Sequence, residues 1–488
     1  MTMTMTSRHH QKWILFALIL AYTGLYFVYF PRLAAIEDEV GFINQAIVWS
    51  KGAMSSEAAG YGGTLADFQE VNGLHVASRH PGRSLVALPF LIAFGLPGIF
   101  LSGLLLHLIM TLIGATLLSR MGRSPLWATL LLFHPTLSLY SRTALADGAA
   151  GACLLLAALA TLSATSRGVF TGIAIGLAAI MRAHAGLTLP IAALSLRYPP
   201  RGPRPWFDVV SCLVGGILIG GLNMGYNQFL YGTLVDPFSA QRGYFALRFV
   251  FPNALFFSMC LIVIWPGMLF APLFDRSPIR WLVRGVCGLY FVLFSAYYFH
   301  DSSSRLMETL VVGQRLIQVA LPLWIVSYAT VLDEYILPWL RDRLGNRLIA
   351  QGIALGLLGL FAGNGVIFAS HHHHLERMRS QRDAFAAVAP EGSLVIRHGQ
   401  IQKLFGIPLS SNTYRFDTLE FNGNDNDPSP AIEAERDPWY LVVLDAMPGL
   451  PLPNSARNLI TRYDLTEIPV SVPRLHVYRS KGQTRADP

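Results

Sequence analysis

Long apolar runs separated by short polar and charged segments make up the chain as far as about residue 370. A hydrocarbon core of roughly 30 Å needs about 20 apolar residues in a helix, so runs of that length bounded by charge are candidate membrane spans. The run from Ser84 to Leu96 is too short to cross and is interpreted as a half-helix. About eleven spans are predicted: residues 13–30, 97–118, 125–141, 148–166, 168–181, 184–196, 206–227, 254–273, 281–299, 315–336 and 348–369, with 168–196 forming a hairpin.

The composition changes at a run of four histidines, His371–His374, and the chain after it is soluble in character. In this tail the pattern predicts a helix over 375–388, a loop over 422–429, and strands at Ser393–Arg397, Trp439–Leu444 and Leu475–Arg479. The sequence therefore predicts an all-α polytopic membrane domain, residues 1–370, followed by a small soluble α/β domain, residues 371–488.

The first loop, residues 31–83, is long and begins with three consecutive acids at 37–39. Val40, Ile43 and Ile47 follow at helical spacing, which predicts an amphipathic helix lying at the membrane surface. The acids have two interpretations. They favour the helix dipole, or one of them is a catalytic base whose pKa is raised by partial desolvation at the lipid boundary.

Composition and charge narrow the function classes. With 53% hydrophobic and only 14% charged residues, the chain is not an ordinary soluble protein. The net charge of +8 is scattered between apolar runs, so no nucleic-acid partner is expected. Arginines concentrate in the short loops assigned to the cytoplasm. We expect a multi-pass protein of the inner (cytoplasmic) membrane, with a cytoplasmic N-terminus and the tail domain outside.

Several cations nevertheless fall at the predicted outer boundary, and they have two interpretations. A single arginine there commonly extends to lipid headgroups, whereas several at one depth can bind one anion together. Asp147, in the outer turn before a span, either caps the following helix or shares a site with Asp38. The outer arginines are Arg79, Arg83, Arg142, Arg182, Arg242, Arg248, Arg305 and Arg315, and the histidines His80 and His184 accompany them.

Five short motifs, taken in order, carry a family resemblance. They are Asp38-Glu39; His80-Pro81-Gly82; Ser141-Arg142-Thr143 through Asp147; Gly176-Leu177 through Met181-Arg182; and Tyr226-Asn227 through Gly243-Tyr244. Together, over about residues 13–330, they resemble the polyprenyl-phosphate-sugar-dependent GT-C glycosyltransferases, which include protein O-mannosyltransferases and lipid A aminoarabinose transferases. One departure is Gly41, which stands where the aminoarabinose transferases have a phosphate-binding Arg.

The resemblance implies a GT-C fold and inverting transfer of a sugar from a polyprenyl-phosphate donor in the bilayer to an extracytoplasmic glycan, lipid or protein. Such a displacement needs a base for the acceptor's proton and cations for the departing phosphate. The expected catalytic residues are Asp38 as base, Asp147 as an orienting group and Glu39 as a weaker candidate base. The expected donor-phosphate ligands are His80, Arg83, Arg79, Arg182, His184 and Arg142, and the expected substrate-binding residues are Tyr226, Tyr244, Arg242 and Arg315.

No cofactor or obligatory metal is expected, because a lipid phosphate leaves without the divalent ion that a nucleotide diphosphate usually needs; a divalent cation remains compatible with the site. The run His371–His374 fits nickel or zinc by ligand type, or is a solvated cluster. The alternative functions are a polytopic transporter or flippase for a lipid-linked sugar, and a non-catalytic relative whose tail binds a partner.

Overall fold

The structure, a computed structural model, describes residues 5–55, 68–71, 74–77, 79–197, 205–234, 245–298, 306–390, 393–398, 417–421, 432, 438–444, 452–472 and 474–481. The predicted loop over 422–429 lies outside these residues. Two compact units are present. Unit 1 comprises Met1–Phe30, His80–Arg83 and Leu101–Ala369, and unit 2 comprises Pro31–Arg79, Ser84–Phe100 and Ser370–Pro488. Segments of the first loop thus belong to the same unit as the tail.

The described chain is mostly helical with many apolar helices, as the hydrophobic pattern predicts. The helices are α1 (Met5–Val28), α2 (Glu37–Ser50), α3 (Pro81–Phe94), α4 (Leu96–Arg120), α5 (Thr129–Leu132), α6 (Pro135–Tyr140), α7 (Asp147–Ala160), α8 (Arg167–Met181), α9 (Leu189–Ser195), α10 (Pro205–Tyr231), α11 (Val250–Ile264), α12 (Ala271–Phe274), α13 (Arg280–Ser295), α14 (Leu306–Gly313), α15 (Leu321–Val331), α16 (Leu337–Val388) and α17 (Asn454–Arg462).

By length and composition, five helical stretches among the described residues are long and apolar enough to cross a membrane: His10–Val28, Leu96–Arg120, Pro205–Tyr231, Leu247–Ile264 and Leu321–Val388. Shorter apolar helices include α3, α7 and α8. The total of about eleven spans, which rests on span length, stays a prediction.

At least three predicted spans are not continuous helices. In 254–273, α11 ends at Ile264 and α12 begins only at Ala271. The run 125–141 is divided into a 3-10 turn, α5 and α6, with the break at His134-Pro135. Proline has no N–H and disfavours helical backbone in the residue before it, which explains the break. The run 315–336 starts with a turn, and α15 begins only at Leu321. By contrast, α16 continues through the histidine run, interrupted only at Gly345, whose φ is +79°.

Glycines determine how closely α8 and α10 pack in unit 1. A Cβ at Gly172 would lie 2.1 Å from the carbonyl oxygen of Cys212 and 2.8 Å from the amide nitrogen of Gly216. Small residues at such contacts allow helix backbones to approach, which is the usual way helices associate in lipid. An ion pair between Arg167 and Asp208, 2.7 Å long, joins the beginnings of the two helices. The predicted glycine-rich hairpin therefore packs through its backbone.

The first loop forms the helix expected of it, but that helix is buried on every side. Residues 39–48 of α2 are all buried, so α2 is not the one-sided surface helix that the pattern predicts. Two of its buried polar side chains, Glu39 and Gln45, have internal partners; Ser84 Oγ, for example, donates to Gln45 Oε1 at 2.6 Å. Buried polar groups persist in an interior when they find such partners. The loop also contains an antiparallel hairpin of β1 (Phe68–Val71) and β2 (Leu74–Ala77).

The tail forms a mixed five-stranded sheet in the order β4-β3-β5-β7-β6. β3 is parallel to β4 and β5, whereas β7 is antiparallel to β5 and β6. The strands predicted near residues 393, 439 and 475 are confirmed as β3, β5 and β7. The strands are β3 (Leu394–His398), β4 (Asp417–Phe421), β5 (Tyr440–Leu444), β6 (Thr466–Ile468) and β7 (Leu475–Arg479).

Both faces of this sheet are covered. Successive strand residues point to opposite faces, so Val442 packs with Phe385 of α16 on one face, while Leu441 packs with Leu459 of α17 on the other. The end of α16 is thus part of the core of unit 2, which confirms the small α/β arrangement expected of the tail.

Candidate active site

In unit 1, cationic side chains surround the Asp147 carboxylate. Its Oδ2 lies 2.6 Å from Arg182 Nη2, and the two side chains are 7% and 16% exposed. Asp147 is the first residue of α7, just before the predicted span 148–166. Burial alone would raise the pKa of this carboxyl, but the positive charges of Arg182 and Arg315 outweigh burial and hold the pKa below its ordinary value of 3.8. Asp147 is therefore an ionised partner of guanidinium groups.

Asp147 does not cap α7. The N-cap position belongs to Ala146, and no side-chain hydrogen bond closes the helix there. As the first residue of α7, the carboxylate still gains from the positive end of the helix dipole. The Arg182 ion pair, rather than capping, is what occupies its side chain.

The second and fourth motifs meet in unit 1 at the end of α8. A Cβ at Gly82 would lie 2.7 Å from the sulfur of Met181 and 2.8 Å from the carbonyl oxygen of Ile180, so only glycine fits there. Arg182 follows at once in extended backbone, with φ −145° and ψ 112°. The glycine of the His80-Pro81-Gly82 segment is thus needed for packing beside the residue that holds Asp147.

His184 follows Arg182 by two residues and contacts aromatic side chains. Its ring lies edge-on to Tyr290 at 5.6 Å and to Phe294 at 5.3 Å between centroids. Its positive charge, when present, would act on Asp147 as the arginines do. The predicted cations Arg182, His184 and Arg315 are therefore brought together around one carboxylate.

Arg83 lies in the interior of unit 1. Its side chain is fully buried; Nε donates to the carbonyl oxygen of Leu145 at 3.2 Å, and Nη1 donates to Ser102 Oγ at 2.7 Å. The adjoining cavity is about 20 Å³, which is room for roughly one water molecule and not for a phosphate. In this structure Arg83 therefore joins α3, α4 and the turn before α7 instead of facing a ligand.

Arg142 is likewise enclosed. Its guanidinium carbon lies 4.5 Å from the ring centroid of Phe368 and 5.7 Å from that of Tyr26. Burial lowers the pKa of Arg142 to about 10, and the facing aromatic rings stabilise the charge. Arg142 is thus not placed as expected for a phosphate ligand, because aromatic rings and not solvent surround its guanidinium.

In unit 2, Asp38 and Arg79 form a second ion pair. Arg79 Nη2 donates to Asp38 Oδ1 at 2.9 Å, and the side chains are 22% exposed for Arg79 and 34% for Asp38. Gln45 Nε2 donates to the carbonyl oxygen of Arg79 at 3.1 Å, which fixes the backbone of Arg79 to α2. The guanidinium also lies over the Phe42 ring, 5.9 Å from its centroid. Asp38 is thus an accessible carboxylate with an anchored cationic partner.

Glu39, the weaker candidate base, has a structural position. It is fully buried, and its Oε1 accepts hydrogen bonds from the amide nitrogens of Ala35 at 2.8 Å and Ile36 at 3.0 Å. Those amides would otherwise be unsatisfied at the start of α2. The carboxylate is therefore engaged in closing the start of the helix, and its candidate role as a base stays a prediction.

Two predicted substrate-binding residues, Arg242 and Tyr244, lie outside the described residues. Tyr226 is half-buried near the end of α10. Its neighbour Asn227 is buried and donates from Nδ2 to the carbonyl oxygen of Leu234 at 3.3 Å, closing the turn after the helix. Within the described part of the chain, no group of three or more His, Cys, Asp or Glu side chains could hold a metal ion.

Two crystal structures of ArnT from Cupriavidus metallidurans are similar to the chain. The apo structure superposes with a TM-score of 0.63 at 14% identity. The structure bound to undecaprenyl phosphate superposes with 0.61 at 13% identity. Each match covers 96% of this chain and 98% of ArnT. The chain has the ArnT fold. The fold implied by the five motifs is thereby confirmed, whereas no family model and no curated protein matches the sequence.

Within this ArnT fold, three polar residues that the sequence analysis did not select contribute to the sites. Gln45 anchors Arg79, Ser102 accepts from Arg83, and Gln318 is buried near Gly148 beside Asp147. The signal for Ser102 is a lone polar residue inside an apolar run, whereas Gln318 follows Gln314 and Arg315 and had no such signal. Such residues are costly in a membrane and therefore have partners.

Proposed function

We propose that the chain is an inner-membrane glycosyltransferase that transfers a sugar from a polyprenyl-phosphate donor to an extracytoplasmic acceptor, with inversion at the anomeric carbon. The acceptor is a glycan, a lipid or a protein. The ArnT fold over 96% of the chain supports the class of enzyme. The ArnT structure bound to undecaprenyl phosphate supports a lipid phosphate as the kind of group recognised.

The observation that carries the proposal is the accessible Asp38 carboxylate paired with Arg79. An inverting displacement needs one base. Asp38 takes the proton of the acceptor hydroxyl or amine, the acceptor atom attacks the anomeric carbon, and the bond from that carbon to the phosphate oxygen breaks. The polyprenyl phosphate departs with the electron pair, and a guanidinium stabilises its added negative charge.

Arg79 gives this reaction an order of events. While it is bound to Asp38, the guanidinium makes the carboxylate a weaker base, since an opposite charge nearby favours the ionised form. A donor phosphate competes for the same guanidinium through charged hydrogen bonds. When Arg79 turns to the phosphate, Asp38 becomes more basic. Binding of the donor thus prepares the base.

Asp147 has a different role in the proposal. It holds Arg182 at 2.6 Å and attracts Arg315, so that the remaining guanidinium N–H groups are oriented toward an anionic part of a substrate. His80 and His184 are the neutral or cationic neighbours expected to assist them. Asp147 is therefore an orienting group and not a base.

The test is sugar transfer by proteoliposomes containing the wild type or Asp38→Asn, with a panel of radiolabelled polyprenyl-phosphate sugars and membrane-extract acceptors. Loss of a general base typically costs about 10²- to 10⁴-fold in rate. The matched control is Asp383→Asn, an exposed ion-paired aspartate on α16, which should transfer at the wild-type rate.

Equal transfer by wild type and Asp38→Asn would remove Asp38 from the mechanism. Labelled donor that crosses the bilayer with its sugar still attached would support the transporter or flippase instead. Protease digestion of right-side-out and inside-out vesicles tests the proposed topology, in which only the former expose the tail.

A further inference from the structure

A cavity of about 600 Å³ lies in unit 1 beyond the end of α4, and the proposed chemistry does not use it. Ser102, which binds Arg83, is near the start of α4, whereas the cavity residue Arg123 follows its last residue, Arg120. At 1.5 Å per residue, 18 residues of helix separate these levels by about 27 Å. The cavity is thus at the opposite end of unit 1 from Arg83. Its volume is in the range of ligand pockets.

One end of the cavity contains charged side chains. Two guanidiniums, Arg123 and Arg341, and one carboxylate, Asp333, are among its lining side chains. Asp333 accepts from Trp127 Nε1 at 2.8 Å and lies 3.5 Å from Arg123, so it is already occupied. Arg123 also binds Glu334 at 2.7 Å. Arg341 makes no ion pair with any described residue, so its charge is available to an anion.

The other walls of the cavity are apolar. Ile353, Leu357 and Leu360 of α16 follow one another at intervals of four and three residues, which places them on one face of the helix. They form a wall about 10 Å long. Leu355 and Leu358, on the neighbouring face, are exposed, as expected for residues that face lipid. A cationic end joined to an apolar wall beside lipid fits an amphiphile with a negative head.

We propose that this cavity binds an anionic glycerophospholipid of the surrounding bilayer, with its phosphate at Arg341 and the first part of an acyl chain along Ile353, Leu357 and Leu360. Asp333 and Glu334 already pair with Arg123, so Arg341 supplies the positive charge that favours a negative head. Glycerophospholipid is the phosphate-headed lipid that a bilayer supplies in the largest amount, so mass action favours it as occupant.

The experiment measures lipid binding to the delipidated full-length protein by native mass spectrometry, with phosphatidylglycerol as probe. Gly356 lines the cavity and Gly352 does not, and a Cβ at either position meets no atom within 4 Å. Gly356→Trp should therefore fill the cavity and abolish the single tight lipid adduct, while Gly352→Trp keeps it. Arg341→Gln should weaken binding about tenfold, as expected for a charged hydrogen bond, while Arg343→Gln should not.

Three outcomes would overturn the proposal. They are retention of the adduct by Gly356→Trp, equal binding of phosphatidylethanolamine, and tighter binding of undecaprenyl phosphate or of inorganic phosphate alone. Arg341→Gln keeps the test decisive if Gly356→Trp does not fold. Because the readout is lipid bound and not sugar transferred, its failure is distinct from a failure of the proposed function.

Discussion

Asp38 and Asp147 are both aspartates paired with one arginine at hydrogen-bonding distance, but the two pairs differ in burial. The Asp38–Arg79 pair is 34% and 22% exposed, whereas the Asp147–Arg182 pair is 7% and 16% exposed and has Arg315 as a further cation. Exposed ion pairs contribute about 0 to 1 kcal/mol to stability. Breaking a buried pair by removing one partner costs about 3 to 5 kcal/mol.

This contrast separates two uses of the same pairing. A partly hydrated carboxylate can exchange its partner for a substrate phosphate at little cost, which suits a base. A buried carboxylate with more than one cation stays ionised and holds the guanidiniums where the backbone has placed them. The greater exposure of the Asp38 pair, and not the pairing itself, is therefore the basis for proposing Asp38 as the base.

The largest effect expected on stability is that of Asp147→Asn. This substitution removes the carboxylate but leaves the positive charges of Arg182 and Arg315 in the protein interior. The free energy of unfolding should therefore fall by about 3 kcal/mol. Denaturant titration of the detergent-solubilised protein measures this. Asp38→Asn should change it by less than about 1 kcal/mol. Equal losses for the two variants would erase the distinction between the pairs.

A smaller effect is expected for Arg79→Gln. Loss of a charged hydrogen bond, about 1.5 to 3 kcal/mol, should weaken donor binding roughly ten- to a hundredfold, with the stability unchanged. Equilibrium binding of a radiolabelled polyprenyl-phosphate sugar measures the affinity. The control is Arg32→Gln, an exposed arginine of the same unit. If Arg79→Gln binds the donor with unaltered affinity, Arg79 only screens the charge of Asp38 and does not contact the donor phosphate.

The smallest expected effect is a pH dependence of protein stability that appears only at acidic pH. Because the folded-state pKa of Asp147 is below its ordinary value of 3.8, the stabilisation from its ion pair is fully present above pH 3.8 and is lost as the pH falls through the folded pKa. The difference in unfolding temperature between wild type and Asp147→Asn should thus be equal at pH 8 and pH 5, and shrink below about pH 4. A difference that already shrinks between pH 8 and pH 5 would contradict an ionised, cation-bound Asp147.

The helices and the strands of the tail follow from local pattern. The segment Leu475–Arg479 forms β7 as predicted. Glycines of the predicted hairpin 168–196 allow the close contact between α8 and α10. The division of 125–141 was also readable, because His134-Pro135 is a helix-breaking pair. The span was nevertheless predicted from the length of its apolar run, and apolar length does not record whether the backbone is a continuous helix.

The roles of the charged residues were less accessible from the sequence. Arg142 and Arg182 look alike as arginines at the ends of apolar runs, yet Arg142 is enclosed by Tyr26 and Phe368 while Arg182 holds Asp147. These partners are many tens of residues away along the chain, where no local pattern links them. Glu39 shows that a short-range contact can also be hidden from the sequence. Its carboxylate accepts a hydrogen bond from the backbone just before α2, and only the structure shows this bond.

The sequence by itself determined that this protein has many apolar helices, a small α/β tail and acids and cations that are candidates for a phosphate site, because hydrophobic periodicity and residue chemistry are local properties. Only the tertiary structure decided which acid is accessible, which arginines are enclosed and which cations surround Asp147. Burial and pairing arise from contacts between distant segments, and it is burial and pairing that fix the charge and availability of an ionisable group.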